Sequence, residues 1–205
     1  METGRKKHWD TVYETKKPNQ VSWTQEVPET SLDFINSFGL PKTAKIIDIG
    51  GGDSKLVDYL LDEGFENITV LDISAKALAK VKKRLGDKAE KINWIVNDIT
   101  EFDPDTTFDI WHDRATFHFL TTAAQISKYM DTARKAVSGY LTIATFSENG
   151  PKKCSGLDVK RYSEENLTTE LKNGFEKIRC VTEDHTTPFD TIQNFLFCSF
   201  KRQVN

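Results

Sequence analysis

Residues 46–54 read Ile-Ile-Asp-Ile-Gly-Gly-Gly-Asp-Ser. An apolar run ends in three consecutive glycines, and an amphipathic segment, Lys55-Leu-Val-Asp-Tyr-Leu-Leu61, opens directly after it. The pattern predicts a buried strand, a turn without side chains and a helix. Glycines at such a turn let a ligand lie against bare backbone at a helix N-terminus. The next apolar run, Ile68-Thr-Val-Leu-Asp72, ends in an acid. A carboxylate at a strand end can accept hydrogen bonds from both hydroxyls of a ribose, so the two features together point to a nucleoside-containing cofactor.

The alternation continues outward from this unit. Strands are expected at 45–49, 68–72, 92–97, 107–112 and 139–146. Between them, Leu56, Val57, Leu60 and Leu61 share one helical face that Gly64 terminates. Ser74 caps a helix carrying Leu78, Val81 and Leu85, which Gly86 ends, and 122–137 presents Ile126, Tyr129, Met130, Ala133 and Val137. Strand and helix in turn predict an α/β fold, a parallel sheet covered on both faces, with its ligand at the carboxyl ends of the strands. Residues 29–39 read as a short entry helix, Ser163 caps another at 164–173, and the apolar runs 175–181 and 194–201 form an antiparallel pair. The stretch between those runs, including His185-Thr-Thr-Pro188, is expected to be a turn or a far wall of the pocket.

The 205 residues fit one domain with a full core. A net charge of −3 argues against nucleic acid as a partner. No run is long and apolar enough for a membrane span, and the N-terminus has no signal core. Cys154, Cys180 and Cys198 lack metal-ligand spacing, so reduced thiols in a cytoplasmic protein are expected, with no metal site.

Two cofactor classes use a glycine turn followed by a ribose-binding acid. A dinucleotide fingerprint needs a third glycine where this chain has Lys55 or Val57, and Asp53 would repel a pyrophosphate at the helix mouth. S-adenosylmethionine (SAM) carries a sulfonium and an amino group instead, which Asp48 and Asp53 tolerate. A third strand, Trp94-Ile-Val-Asn-Asp98, ends in another acid placed to accept from an adenine amino group, and Ile99 can pack on the ring.

In this order of motifs, residues 45–146 resemble the class I SAM-dependent methyltransferases. The resemblance implies a Rossmann-like, mostly parallel sheet of about seven strands with an antiparallel strand at the C-terminal end. It implies that Gly50, Gly51 and Gly52 face the amino-acid part of SAM, Asp72 its ribose, and Asp98 and Ile99 its adenine, with Ile73 also among the cofactor-binding residues. The chain divides accordingly into a lid segment (1–25), a SAM-binding core (45–146) and an acceptor-side remainder (147–205).

The fourth strand runs into Phe108-Asp-Ile-Trp-His-Asp-Arg-Ala-Thr-Phe-His-Phe-Leu120. Its Trp-His-Asp-Arg-Ala is similar to a motif of thiopurine and related thiol methyltransferases, which implies Arg114 on the acceptor side and Asp113 beside the methyl group. Trp9, Tyr13 and Trp23 are similar to that group's N-terminal segment, which folds over the cofactor. The same stretch also resembles a motif of protein-lysine methyltransferases, with His118 in place of its last acid. His118 is a candidate base, ahead of His112 and His185, because imidazole titrates near neutrality. The expected acceptor is a small molecule, the alternative a protein side chain. A nicotinamide-dependent oxidoreductase and a non-catalytic SAM-binding module are the competing classes. Oligomeric state and accepting atom are not legible.

Overall fold

The computed structural model describes residues 4–203; the outermost residues of the expected lid and acceptor-side segments lie outside it. Seven strands form one sheet: β1 (Lys45–Ile49), β2 (Asn67–Asp72), β3 (Ile92–Val96), β4 (Phe108–Arg114), β5 (Val137–Phe146), β8 (Phe175–Thr186) and β9 (Ile192–Arg202). The order is β3-β2-β1-β4-β5-β9-β8. The pairs among β1–β5 are parallel, and β9 runs antiparallel to both β5 and β8. The chain reverses its direction of travel across the sheet between β1 and β4, so the crevice at their carboxyl ends is the topological switch point. A two-residue hairpin, β6 (Lys153–Cys154) with β7 (Leu157–Asp158), lies apart from the sheet.

The helices are α1 (Gly4–Thr15), α2 (Glu29–Ser37), α3 (Leu56–Asp62), α4 (Ala75–Leu85), α5 (Ala123–Ala136) and α6 (Glu164–Leu171). Their ends follow the expected chemistry. Ser74 Oγ accepts from Ala77 N at 3.2 Å, Ser163 Oγ accepts from Asn166 N at 3.1 Å, and Thr122 with Gln125 closes a capping box. Alternate strand residues feed opposite faces of the sheet. Ile46, Val70 and Ile110 pack with Leu56, Leu60, Leu78 and Val81. Ile47, Trp111, Leu141 and Ile143 pack on the other face with Tyr129, Met130, Leu167 and Leu171.

Three expectations are corrected. Only the end of the polar stretch 182–190 is a turn: β8 continues to Thr186, His185 pairs with Gln193 of β9, and the chain reverses over 187–191. β8 is an edge strand with one free side, so polar residues are admissible along it. Residues 4–15, read as a polar aromatic segment, form a helix, in which Trp9 and Tyr13 are four residues apart and share a face. Finally, the cysteines are not all free thiols. Cys180 and Cys198 are cross-strand register partners with Cα atoms 4.1 Å apart and are joined as a disulfide, leaving Cys154 free. No helix among the described residues is long and apolar enough to cross a membrane.

Phe200 on β9 is fully buried in the larger core. Phe200→Ala should lower unfolding free energy by about 3–5 kcal/mol, read from urea denaturation at constant m.

Candidate functional site

A cavity of about 370 Å³ opens at the carboxyl ends of β1, β2 and β4, a size within the ordinary range for small-ligand sites. Its floor is the glycine turn. Gly50 and Gly52 have φ of +65° and +48°, which a side chain rarely tolerates. A Cβ on Gly51 would stand 2.7 Å from both Asp48 Oδ2 and Val70 Cγ1. One on Gly50 would collide with Thr116, and one on Gly52 with the Tyr13 hydroxyl. The three glycines therefore let β1, β2, β4 and α1 converge, as well as exposing backbone to a ligand.

Four carboxylates border this half of the cavity: Asp48, Asp53, Asp72 and Asp98. Asp72 closes β2, and its Oδ1 accepts from Ser74 N at 2.7 Å. Burial pushes Asp72 up to about 7, against backbone hydrogen bonds from Ser74 and Gly52 that hold it down, and the neighbouring Asp48 and Asp53 raise it further. Asp98 accepts from Thr100 N and Oγ1 on one oxygen and pairs with Arg5 of α1 at 2.8 Å on the other.

Asp48 Oδ1 accepts from His112 Nδ1 at 2.7 Å, and His112 Nε2 lies 2.9 Å from Ser31 Oγ. All three are buried, and all three border the cavity. The chain exists because Asp48 and His112 are register partners on β1 and β4. Read from the sequence, His112 is only a candidate base behind His118, and Ser31 has no role. Only the pairing of strands 64 residues apart reveals them.

The roof comes from the N-terminal region. Trp9, Tyr13 and Trp23 line the cavity with Phe119, and Trp9 meets Phe119 and Trp23 edge-on at 5.0 and 5.7 Å between ring centres. Besides the Arg5 pair, Asp10 accepts from Ser74 Oγ at 2.6 Å. Gly50, Gly51, Asp72, Ile73, Asp98 and Ile99 border the same space, as the sequence expected. Gly52 does not, because Tyr13 covers it.

On β4 the expected acceptor residues separate. Arg114 borders the cavity; Asp113 and His118 do not. Asp113 is fully buried on the opposite face of the strand. One of its oxygens accepts from Thr116 N and Phe117 N, the other from Tyr129 Oη at 2.8 Å. Burial pushes it up to about 6, with those donors opposing. It anchors the turn after β4 and does not line the cavity. His118 is also fully buried, and its Nδ1 accepts from Phe146 N at 3.3 Å. Burial and the nearby Arg114 charge depress it to about 3, so it is a neutral packing group. His185 donates from Nε2 to the Ser22 carbonyl at 2.7 Å and pins the N-terminal region to β8.

Tyr129 Oη also accepts from Trp111 Nε1 at 2.8 Å. Tyr129→Phe would leave a buried indole N–H and a carboxylate oxygen without that partner. The expected loss is about 2–5 kcal/mol of stability by chemical denaturation, with the cavity lining intact.

Comparison with known proteins agrees with this geometry. Residues 46–140 match the family described as Methyltransferase domain. The chain is 26% identical over 122 residues to the eEF1A lysine and N-terminal methyltransferase of Mus musculus, covering 59% of this chain and 17% of that protein. It is 30% identical over 105 residues to malonyl-[acyl-carrier protein] O-methyltransferase 2 of Ilyobacter polytropus, covering 51% and 40%. The chain thus spans less than half the length of either relative. Among solved structures, the N-methyltransferase NodS from Bradyrhizobium japonicum, in complex with S-adenosylhomocysteine, superposes with a TM-score of 0.73 at 15% identity, over 96% of this chain and all of that one. Residues 46–140 thus resemble a methyltransferase domain, and the chain as a whole has a Rossmann-like fold.

Proposed function

We propose that the chain is a SAM-dependent methyltransferase acting on a small nucleophilic acceptor. One observation carries the reading: the side-chain-free turn and the strand-end carboxylates Asp72 and Asp98 border one cavity at the switch point of the sheet. The turn receives the amino-acid part of SAM, Asp72 the ribose hydroxyls, and Asp98 with Ile99 the adenine. Asp48, held by His112, faces the cationic amino group. Trp9, Tyr13 and Trp23 form the lid. The Trp-His-Asp-Arg-Ala likeness to thiol methyltransferases supports Arg114 as the acceptor-side residue, and its place at the cavity agrees.

Methyl transfer needs little covalent help from the protein. The acceptor lone pair attacks the methyl carbon, and the carbon–sulfur bond breaks with its electron pair going to sulfur. Alignment of the two and exclusion of water lower the barrier. None of the four histidines is a free base at this cavity: His8, His118 and His185 do not line it, and both nitrogens of His112 are engaged. An acceptor that must lose a proton gives it to water. The closed aromatic roof favours a small acceptor over an extended protein surface.

Tritiated-methyl labelling of a lysate separates the two acceptor classes. Label in the small-molecule fraction is expected; label confined to protein would reverse the substrate assignment, and label in neither would remove the activity.

Asp72 supplies a pH test. The ribose hydroxyls need the ionised carboxylate, and the unliganded group ionises near 7. Binding therefore expels a proton below that pH. S-adenosylhomocysteine affinity should be roughly tenfold weaker at pH 6 than at pH 8, measured by calorimetry. Asp72→Asn should bind more weakly and lose this slope.

A further inference from the structure

Arg114 is the last residue of β4, and its guanidinium is incompletely satisfied. Nη1 donates to the Trp23 carbonyl at 3.0 Å. The guanidinium carbon stands 4.7 Å from the centre of the Phe195 ring. Nε and Nη2 are buried and have no hydrogen-bond partner among the described residues. No ion pair of Arg114 with a carboxylate is found among the described residues either. Burial lowers its pKa to about 10, with Glu183, the Cys154 thiol and Asp48 opposing, so it stays charged at neutral pH. A buried cation left in this condition costs stability.

The two unsatisfied nitrogens are a matched pair. Nε–H and one Nη2–H lie parallel along a single edge of the guanidinium plane. That edge accepts both oxygens of a carboxylate at once, the strongest geometry available to arginine. Trp23, Ala115, Phe119 and Cys154 line the cavity with Arg114 and are apolar or uncharged, while the carboxylates that act on it electrostatically, Glu183 and Asp48, form no ion pair with it among the described residues. Of the cations that line the cavity, Arg5, Lys55 and Arg84 each have a carboxylate partner, and Arg114 has none among the described residues.

We propose that the methyl acceptor is a small apolar carboxylate, held side-on by Nε and Nη2 of Arg114 among Trp23 and Phe119. This rests on the methyltransferase reading and names its substrate class. The edge is covered in the unliganded fold and opens as the acceptor enters. The bound anion neutralises Arg114, and the positive sulfonium beyond it draws the acceptor inward. A nucleophilic atom elsewhere on the acceptor forms the new bond to the methyl carbon. The carbon–sulfur electron pair passes to sulfur, and the displaced proton goes to water. The other role open to Arg114 is to pin the Trp23 segment through its carbonyl, which would leave ligand charge irrelevant.

The test uses matched probes on the protein saturated with S-adenosylhomocysteine. Benzoate against benzamide, phenylacetate against phenylacetamide, and indole-3-acetate against its amide are titrated by calorimetry. At least one carboxylate should bind roughly tenfold or more tightly than its amide. Arg114→Gln should abolish that preference while S-adenosylhomocysteine affinity is unchanged, and Arg114→Lys, which keeps the charge without the paired edge, should reduce it. Equal binding or no binding across all pairs in the native protein would overturn the proposal, as would a preference that survives in Arg114→Gln. Should the glutamine variant fail to fold, a full preference retained in Arg114→Lys overturns it equally. Failure to bind S-adenosylhomocysteine refutes the methyltransferase reading itself; normal binding with no carboxylate preference refutes only the acceptor class.

Discussion

There is no room for a side chain at residues 50–52. Four neighbours claim the space: Thr116 at Gly50, Asp48 with Val70 at Gly51, and the Tyr13 hydroxyl at Gly52. Those neighbours come from the turn after β4, from β1 and β2, and from α1. Everything at the site depends on this convergence. It brings the strand-end carboxylates around one opening and lets the N-terminal helix close over it. A single methyl group at the bend would push apart the parts that make the cavity.

Electrostatics then sorts the cavity. The cofactor half carries buried or half-buried acids, and their cost is met in different ways. Asp98 is paired with Arg5, Asp48 is tied to His112 and Ser31, and Asp72 is left near the point of neutralisation. A cationic ligand relieves the remaining strain of concentrating negative charge there. The acceptor half has the opposite defect, a guanidinium with an unused edge. A site with complementary deficits on its two sides is suited to two ligands of opposite charge meeting between them.

The sheet was readable because its strands are short apolar runs closed by glycine or acid, and because Ser74, Thr122 and Ser163 cap the helices that follow. The cofactor half was readable for the same reason: Asp72 and Asp98 sit where apolar runs stop. The acceptor half was misread through a matter of parity. Strand residues alternate, so Trp111 and Asp113 turn together toward Tyr129, while His112 and Arg114 turn together toward the cavity. Following that alternation one residue further would have separated Asp113 from Arg114. The Asp48–His112–Ser31 chain was not readable, because it depends on which strands become neighbours. The disulfide depended likewise on the register of β8 against β9.

The central claim is that the bend at residues 50–52 and the carboxylates around it receive an adenosyl sulfonium compound. Calorimetric titration of the folded protein with S-adenosylhomocysteine tests it most directly. Saturable heat with one molecule bound per chain is expected. A folded protein that shows no heat with this ligand, nor with SAM, contradicts it.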